Sequence, residues 1–288
     1  MELFKTAFFM VALMLLFIIV GGMIGGTGGM VIAFCIAAAM NFFSYFYSDK
    51  LILKRYNAME IDPSHQLYHI TRKLCLKAGL ELPKLYIIND PTPNAFATGR
   101  NPSNAAVALT TGLVDMLNSD EIASVIAHEL GHIRHYDILT GSIAAVFAGA
   151  IAILANFAQF GAMLGNNQNR QNPLLIIALA IIMPLAATII QMSISRSREF
   201  EADKFSALIT NPNDLASALL KLENSNQKAV VKNASEQTAH MFIISPFSGK
   251  NIASGISNLF RTHPTTKQRV DRLRELNYQS PAKRYFNS

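Results

Sequence analysis

Long stretches without charged side chains constrain this chain more than any other feature of its sequence. Residues 6–48, 138–169 and 171–195 contain no Asp, Glu, Lys or Arg. A helix needs about 20 mostly apolar residues to cross a bilayer, so each stretch is long enough for one crossing and the first for two. Charged residues make up 15% of the chain, against about 25% in soluble domains, and mean hydropathy is +0.26. This composition argues against an ordinary soluble enzyme and against a disordered protein.

The uncharged stretches predict four transmembrane helices. The glycine-rich sequence GGMIGGTGG at 21–29 predicts a break within the first stretch, because glycine favours turns. The expected spans are Ala7–Ile24, Met30–Tyr47, Gly141–Leu164 and Leu174–Met192. They divide the chain into a membrane pair (1–47), a polar segment (48–139), a second membrane pair (140–192) and a second polar segment (193–288). We therefore expect a mainly α-helical membrane protein whose polar part is split between two segments.

Lys and Arg residues near the span ends predict the orientation. The two short loops between paired spans hold only Arg170, whereas the other flanks hold Lys5, Lys50, Lys54, Arg55, Arg134, Arg196 and Arg198. By the positive-inside rule, both termini and both polar segments face the cytoplasm. The basic residues of segment 193–288 are spread out, and the nearby anionic membrane surface accounts for them, so no nucleic-acid partner is expected.

The polar segments predict an α+β domain. Apolar residues at helical spacing, with polar residues suited to capping, predict helices over 64–80, 118–141, 195–210, 211–226 and 263–278. Short apolar runs bounded by Pro, Gly or Asn predict strands over 84–90, 94–99 and 104–113. The 118–141 helix is expected to continue straight into the third span.

The motif His128-Glu129-Leu130-Gly131-His132 carries the chemistry. Histidines four residues apart lie on one face of a helix and can bind one zinc ion. Glu129 would then lie beside the metal, where it can take a proton from a water molecule. The alternative is that the two histidines have no role in metal binding. A third candidate ligand elsewhere in the chain argues against this alternative.

A catalytic zinc ion needs a third protein ligand, and the run REFEAD offers Glu199 and Glu201. Glu199 shares a helical face with Asp203, which suits a ligand next to a carboxylate that orients an imidazole. Glu201 points about 160° away from Glu199, so both cannot face one metal ion. His135 is a rival ligand, but it lies about 10 Å along the helix axis from His128.

Taken together, HELGH, REFEAD and the four apolar spans resemble the HtpX-type membrane zinc metalloproteases, whose superfamily includes the CAAX-prenyl endopeptidases. The resemblance implies a zincin-like (gluzincin) catalytic domain with one zinc ion, and Glu199 as the third ligand. It also implies that Asp203 and Arg269 support the site and that the late histidine, His263, stabilises the transition state. Asp137 matches a further family position. An edge strand with Asn94, Ala95 and Phe96 is implied to hold the substrate.

These features predict a zinc endopeptidase of the bacterial inner membrane, active on the cytoplasmic side, with Glu129 as general base. The resemblance implies that it removes misfolded or damaged membrane proteins. Three alternatives stay open. A site-2-type protease conflicts with the polar residues at 115–121, a CAAX-type processing enzyme would usually need more spans, and a catalytically idle scaffold would not need Glu129.

Overall fold

The computed structural model describes residues 2–141, 143, 196–228 and 264–279. The expected third span apart from Gly141 and Ile143, the expected fourth span, residues 229–262 and His263 lie outside the described residues. Among the described residues, Gly25–Tyr47 is long and apolar enough to cross a membrane, and a shorter apolar helix covers Thr6–Gly22.

Helix α1 (Glu2–Arg55) is in fact two antiparallel helices joined by a tight break. The break lies at Gly25 and Gly26, where Gly26 has φ 58° and ψ −145°, a conformation that residues with a side chain rarely adopt. Gly21 and Gly29 approach each other too closely for a Cβ atom on either one. Farther along the pair, the Asn41 side chain donates a hydrogen bond to the Met10 carbonyl at 2.9 Å. The expected break within the glycine-rich stretch is therefore confirmed.

A mixed four-stranded sheet lies next to the polar end of α1. Its strands are β1 (Met59–Glu60), β2 (Lys84–Ile88), β3 (Ala95–Gly99) and β4 (Ala105–Thr110), in the order β1-β2-β4-β3. β4 is central and fully buried, parallel to β2 and antiparallel to β3. Among the described strands, β3 therefore forms one edge of the sheet.

The remaining helices pack together on one face of the sheet. They are α2 (Gln66–Ala78), α3 (Thr111–Met116), α4 (Ser119–Arg134), α5 (Arg196–Ile209), α6 (Pro212–Lys228) and α7 (Thr266–Gln279). Fully buried side chains from the sheet and helices form one core, among them Leu109, Ile126, Leu130, Leu219 and Leu273. The other face of the sheet is covered by the end of α1, through Leu53 against Phe96 and Ala108. Described residues of both polar segments therefore contribute to one hydrophobic core.

Two sequence expectations for this domain are wrong. The run 104–113 is not one strand, because the Thr110 side chain caps a new helix and accepts a hydrogen bond from the Leu113 backbone amide. The helix expected over 118–141 ends at Arg134, and Tyr136 has φ 63°. The chain is helical again at 137–141. The break matters for function because it allows Asp137 to approach the HELGH helix.

Candidate active site

Helices α4 and α5 form the site where they cross. Asn118 starts α4 with a reciprocal capping box to Glu121, which fixes the helical register and so the face that carries His128 and His132. Gly131 lies at the crossing, and a Cβ atom on it would be 3.0 Å from the Ala202 Cα atom. This close approach brings Glu199 of α5 beside the two histidines. Of Glu199 and Glu201, the first is buried and the second is exposed.

One ligand atom from each of His128, His132 and Glu199 lies within 4.8 Å of the other two. The Nε2 atoms of His128 and His132 are 3.1 Å apart. His132 Nε2 is 3.4 Å from Glu199 Oε1, and His128 Nε2 is 3.7 Å from Glu199 Oε2. The three groups therefore converge on one point between the two helices.

A buried chain of contacts supports His128 from behind. Its Nδ1 atom is 3.0 Å from Asp203 Oδ1. Arg269 of α7 holds the same carboxylate with two hydrogen bonds, from Nε to Oδ2 at 2.8 Å and from Nη2 to Oδ1 at 2.6 Å. Arg269 Nη1 also lies 3.3 Å from Glu199 Oε2. Burial raises the pKa of Asp203, but the Arg269 charge and the hydrogen bonds from His128 and Arg269 together outweigh it and hold that pKa below its ordinary value. Burial lowers the pKa of His128, which favours the neutral imidazole.

His132 has an equivalent support that the sequence analysis did not assign. Its Nδ1 atom is 3.1 Å from Asp137 Oδ2, and Arg198 Nε lies 3.4 Å from Asp137 Oδ1. Burial alone would lower the pKa of His132, but the Asp137 and Glu199 carboxylates raise it well above its ordinary value. Each imidazole therefore directs Nδ1 at a carboxylate and Nε2 at the common point. Asp137 had been noted only as a family position, and Arg198 only as a basic residue flanking a span.

Glu129 faces the edge strand β3. It is 4% exposed, and its carboxylate accepts a hydrogen bond from the backbone amide of Ala97 in β3. Burial raises the pKa of Glu129 to about 7, and the nearby Glu199 charge acts in the same direction. A carboxyl group with a pKa close to the working pH is suited to take and return a proton.

The other residues singled out from the sequence lie in different places. Asn94 and Ala95 are buried at the start of β3, and the Asn94 backbone pairs with Thr110. The ring of Phe96 packs on Tyr56, the residue directly after α1, with centroids 5.7 Å apart. His135 follows the end of α4, and its ring lies 6.4 Å from that of Phe205.

The net charge of the described site favours a divalent cation. Four carboxyl groups, Glu129, Asp137, Glu199 and Asp203, meet two guanidinium groups, Arg198 and Arg269. When all four acids are ionised, the net charge is −2 with His132 neutral and −1 with His132 protonated, and such uncompensated charge is costly in a largely buried cluster unless positive charge is added. A cation at the point where the ligand atoms converge would balance it.

Comparison with known proteins agrees with this geometry. The family model "Peptidase family M48" matches residues 62–277. A "Protease HtpX homolog" of Campylobacter concisus (strain 13826) is 60% identical, over 96% of this chain and 97% of that protein. A "Protease HtpX" of Legionella pneumophila (strain Lens) is 48% identical, over 94% of this chain and 98% of that protein.

Among solved structures, the fold is similar to that of Ste24p from S. mikatae, with a TM-score of 0.52 and 18% sequence identity. The similarity covers 84% of this chain but 57% of the Ste24p chain, so it concerns the fold alone. The family match and the relatives aligned over nearly their full length establish the family as well as the fold. The chain belongs to peptidase family M48 and, within it, to the HtpX-type membrane metalloproteases, which hydrolyse peptide bonds.

Proposed function

We propose that this protein is a zinc endopeptidase that cleaves membrane proteins at the cytoplasmic face of the bacterial inner membrane. The observation that carries the proposal is the convergence of His128, His132 and Glu199, whose ligand atoms lie within 4.8 Å of one another. We assign them as the three protein ligands of one zinc ion. Asp203 and Asp137 hold the two imidazoles, and Arg269 and Arg198 hold the two carboxylates.

The distances and the donor set fit zinc. Zinc bonds of about 2.0–2.1 Å in tetrahedral geometry place neighbouring ligand atoms about 3.3–3.5 Å apart. The two Nε2 atoms are 3.1 Å apart, and their distances to the two oxygens of the Glu199 carboxylate are 3.4 and 3.7 Å, so all three separations lie close to that range. Two imidazoles and one carboxylate are also the donor set of catalytic zinc sites that leave a fourth position open. The contacts from Nδ1 to the aspartates keep each Nε2 available as the donor atom.

In this proposal Glu129 moves the proton. A zinc ion, when bound, acts as a Lewis acid on a substrate carbonyl and lowers the pKa of water. Glu129 accepts a proton from the attacking water and then delivers it to the nitrogen of the leaving amine. The Ala97 amide holds the Glu129 carboxylate on the side of β3, where a peptide lying along the strand would pass. Burial of Glu129 keeps its pKa high enough for both steps.

The edge strand β3 is the proposed binding surface for the peptide. Ala97 lies opposite Val107 of β4. The Thr110 amide donates to the Asn94 carbonyl, and because hydrogen-bonded and non-hydrogen-bonded pairs alternate, the Ala97 amide points away from β4, towards Glu129. Since backbone groups in an antiparallel pair alternate in direction, those of Ala95 and Gly99 face the same way as those of Ala97. An extended substrate would add to this edge through main-chain hydrogen bonds. We therefore propose that Ala97 and Gly99 bind the substrate backbone together with Asn94, Ala95 and Phe96, which the family resemblance assigns to substrate binding.

His263 is proposed to donate to the oxyanion of the tetrahedral intermediate. It is separated by Pro264 and Thr265 from α7, which begins at Thr266 and carries Arg269 into the site. A reciprocal pair of hydrogen bonds between Thr265 and Gln268 caps this helix. The proposal rests on this nearness along the chain and on the family resemblance.

A proteolysis assay tests the proposed function. The full-length protein in detergent is incubated with an unfolded polypeptide, with and without a zinc chelator. We expect cleavage that stops with chelation and returns when zinc is added. Glu129→Gln should keep zinc and lose cleavage, because an amide cannot accept the proton. If Glu129→Gln cleaved normally, the proposed mechanism would be wrong, and if the wild type cleaved nothing, an idle scaffold would be the better interpretation.

A further inference from the structure

The edge strand β3 runs alongside the polar end of α1, in the opposite direction. Near the start of β3, the Phe96 ring lies 5.7 Å from the ring of Tyr56. Just beyond its end, the Arg100 guanidinium lies 5.3 Å from the ring of Phe46. The ten residues from Phe46 to Tyr56 rise about 15 Å along the helix, and the four residues from Phe96 to Arg100 span about 13 Å along the strand. The two contacts are therefore about equally far apart on both elements, as an antiparallel course requires.

Phe46 marks the level of the membrane surface. The apolar segment suited to crossing a membrane ends at Tyr47. Its last turns carry the exposed aromatic side chains Phe42, Phe43, Phe46 and Tyr47. Beyond them, the Lys50 ammonium group lies 5.4 Å from the Tyr47 ring. Aromatic rings followed by basic residues are typical of the boundary between lipid tails and water. Arg100 therefore lies at that boundary, and Asn104 of the same loop accepts a hydrogen bond from it at 3.2 Å.

The strand thus leads from the candidate active site to the bilayer. Ala97 contacts Glu129, whereas Arg100 contacts the interfacial ring of Phe46. Three residues of extended chain separate them, which is about 10 Å. A peptide paired with the outer edge of β3 would cover the same distance in the same number of residues.

We infer that the substrates of this site are extended segments directly adjoining a transmembrane helix, cut at a set distance of about three to six residues from its end. The inference rests on the proposed function. Its basis is the orientation of β3, which places one end of the bound peptide at lipid headgroups. A residue closer to the membrane than this window cannot reach Glu129, and a residue farther away does so only by looping out the chain between.

The test uses substrates that differ only in the distance of each cleavable repeat from the membrane and in the direction of the chain. Each substrate has one transmembrane anchor and a cytoplasmic tail built from a short repeated sequence, so that every repeat offers the same cleavage chemistry. One set has the tail after the anchor and another has it before. Full-length enzyme and substrate are reconstituted in the same vesicles, and mass spectrometry locates the cuts. The matched control is the same tail as a soluble peptide without an anchor.

We expect cuts in at least one anchored set to fall within the three-to-six-residue window, while the soluble tail is cut along its whole length. A helical spacer of alanine-rich repeats, which holds the tail away from the bilayer, should abolish cutting in the window. Cuts spread evenly along both anchored tails would overturn the inference while leaving the proposed function intact. Cleavage of neither anchored nor soluble tails would instead mean that the proposed function has failed.

Arg100→Glu tests the contact with the membrane surface. In vesicles that contain anionic lipid, this variant should cut the anchored substrate at least about five-fold less, relative to the soluble tail, because one basic residue at such a surface contributes about 1 kcal/mol and the new carboxylate is in addition repelled. Arg72→Glu is the matched control, since Arg72 is exposed on α2 and that helix packs on α4 and α5. An unchanged ratio in Arg100→Glu would overturn the placement of this end of β3 at the lipid surface.

Discussion

Gly131 of α4 and Ala202 of α5 lie in close contact where the two helices of the candidate active site cross. A Cβ atom on Gly131 would lie 3.0 Å from the Ala202 Cα and 3.3 Å from the Ala202 and Phe205 Cβ atoms. A side chain at the glycine of HELGH would therefore press α4 and α5 apart. That distance in turn decides whether Glu199 reaches His128 and His132.

Side chains of increasing size at Gly131 should move Glu199 away from the two histidines. We expect Gly131→Val and Gly131→Leu to lose zinc progressively and to unfold more readily, since overpacking costs about 1–3 kcal/mol. Gly131→Ala is the smallest step and should have the least effect. Zinc content by atomic spectroscopy and thermal unfolding of the full-length protein check this. Full zinc occupancy in Gly131→Leu would show that the spacing of the two helices does not control the site.

Glu199 and Glu201 provide a paired test of the ligand assignment. Glu199 is buried against both histidines, whereas Glu201 is exposed on the same helix. Glu199→Gln should therefore bind zinc much more weakly, because a neutral amide replaces an anionic ligand, and Glu201→Gln should bind it like the wild type. Competition with a chelator of known affinity measures both. The reverse order would mean that α5 presents its other face to the metal.

Helical periodicity predicts which of the proposed ligand residues share a face, because spacing alone decides this. It placed His128 with His132, and Glu199 with Asp203, before any contact between helices was known. The break at Tyr136 was not predictable, because its positive φ occurs without glycine or proline. The support of His132 depends on that break, so Asp137 and Arg198 could not be assigned to it.

Long-range packing was equally absent from the sequence pattern. By its local pattern Arg269 is one of several basic residues on the last helix, and only the family resemblance implies that it supports the site; nothing local indicates that it is 2% exposed. Its burial follows from Asp203, 66 residues earlier in the chain, which takes two hydrogen bonds from it. The strand at 94–99 was predicted nearly to its ends, but its antiparallel course beside α1 emerged only from the fold.

Glu121 should make the stability of the domain depend on pH. Burial alone would raise the pKa of its carboxyl, but hydrogen bonds from Lys221 and Ser217 and from the Asn118 backbone outweigh this and hold the pKa below 4.5. The unfolded chain then binds the proton more tightly, so this stabilisation is present above about pH 4.5 and is lost as the pH falls through the lower, folded-state pKa.

Glu121→Gln should accordingly lower the thermal unfolding midpoint at pH 7, and its difference from the wild type should shrink as the pH approaches 3. The control is Glu275→Gln, because Glu275 is exposed on α7. Unfolding curves of the full-length protein in detergent at several pH values measure the effect. A difference that stayed constant with pH would show that the carboxylate charge is not the source of stability.

His263→Ala should slow catalysis without removing zinc. Loss of one hydrogen-bond donor to an oxyanion typically costs about 10²–10³ in rate. We expect kcat to fall by that order while zinc remains near one ion per chain. Peptide turnover and zinc content, measured on the same preparation, distinguish three outcomes. Normal turnover would mean that His263 has only a structural role. Loss of zinc would mean that His263 is itself a ligand, and the assignment of Glu199 would then have to be revised.

Arg198 should act on zinc through Asp137 and His132. Its Nε atom lies 3.4 Å from Asp137 Oδ1, and Asp137 Oδ2 lies 3.1 Å from the Nδ1 atom of His132. Removing a group that orients a metal ligand typically costs 10- to 100-fold in affinity or activity, so we expect Arg198→Gln and Asp137→Asn each to weaken zinc binding by about that factor. Because both changes break the same chain of contacts, the double variant should bind zinc about as weakly as either single one. Lys204→Gln, an exposed change on the same helix, is the control and should leave the affinity unchanged. Fully additive losses in the double variant would mean that Arg198 acts on the site by a route other than Asp137.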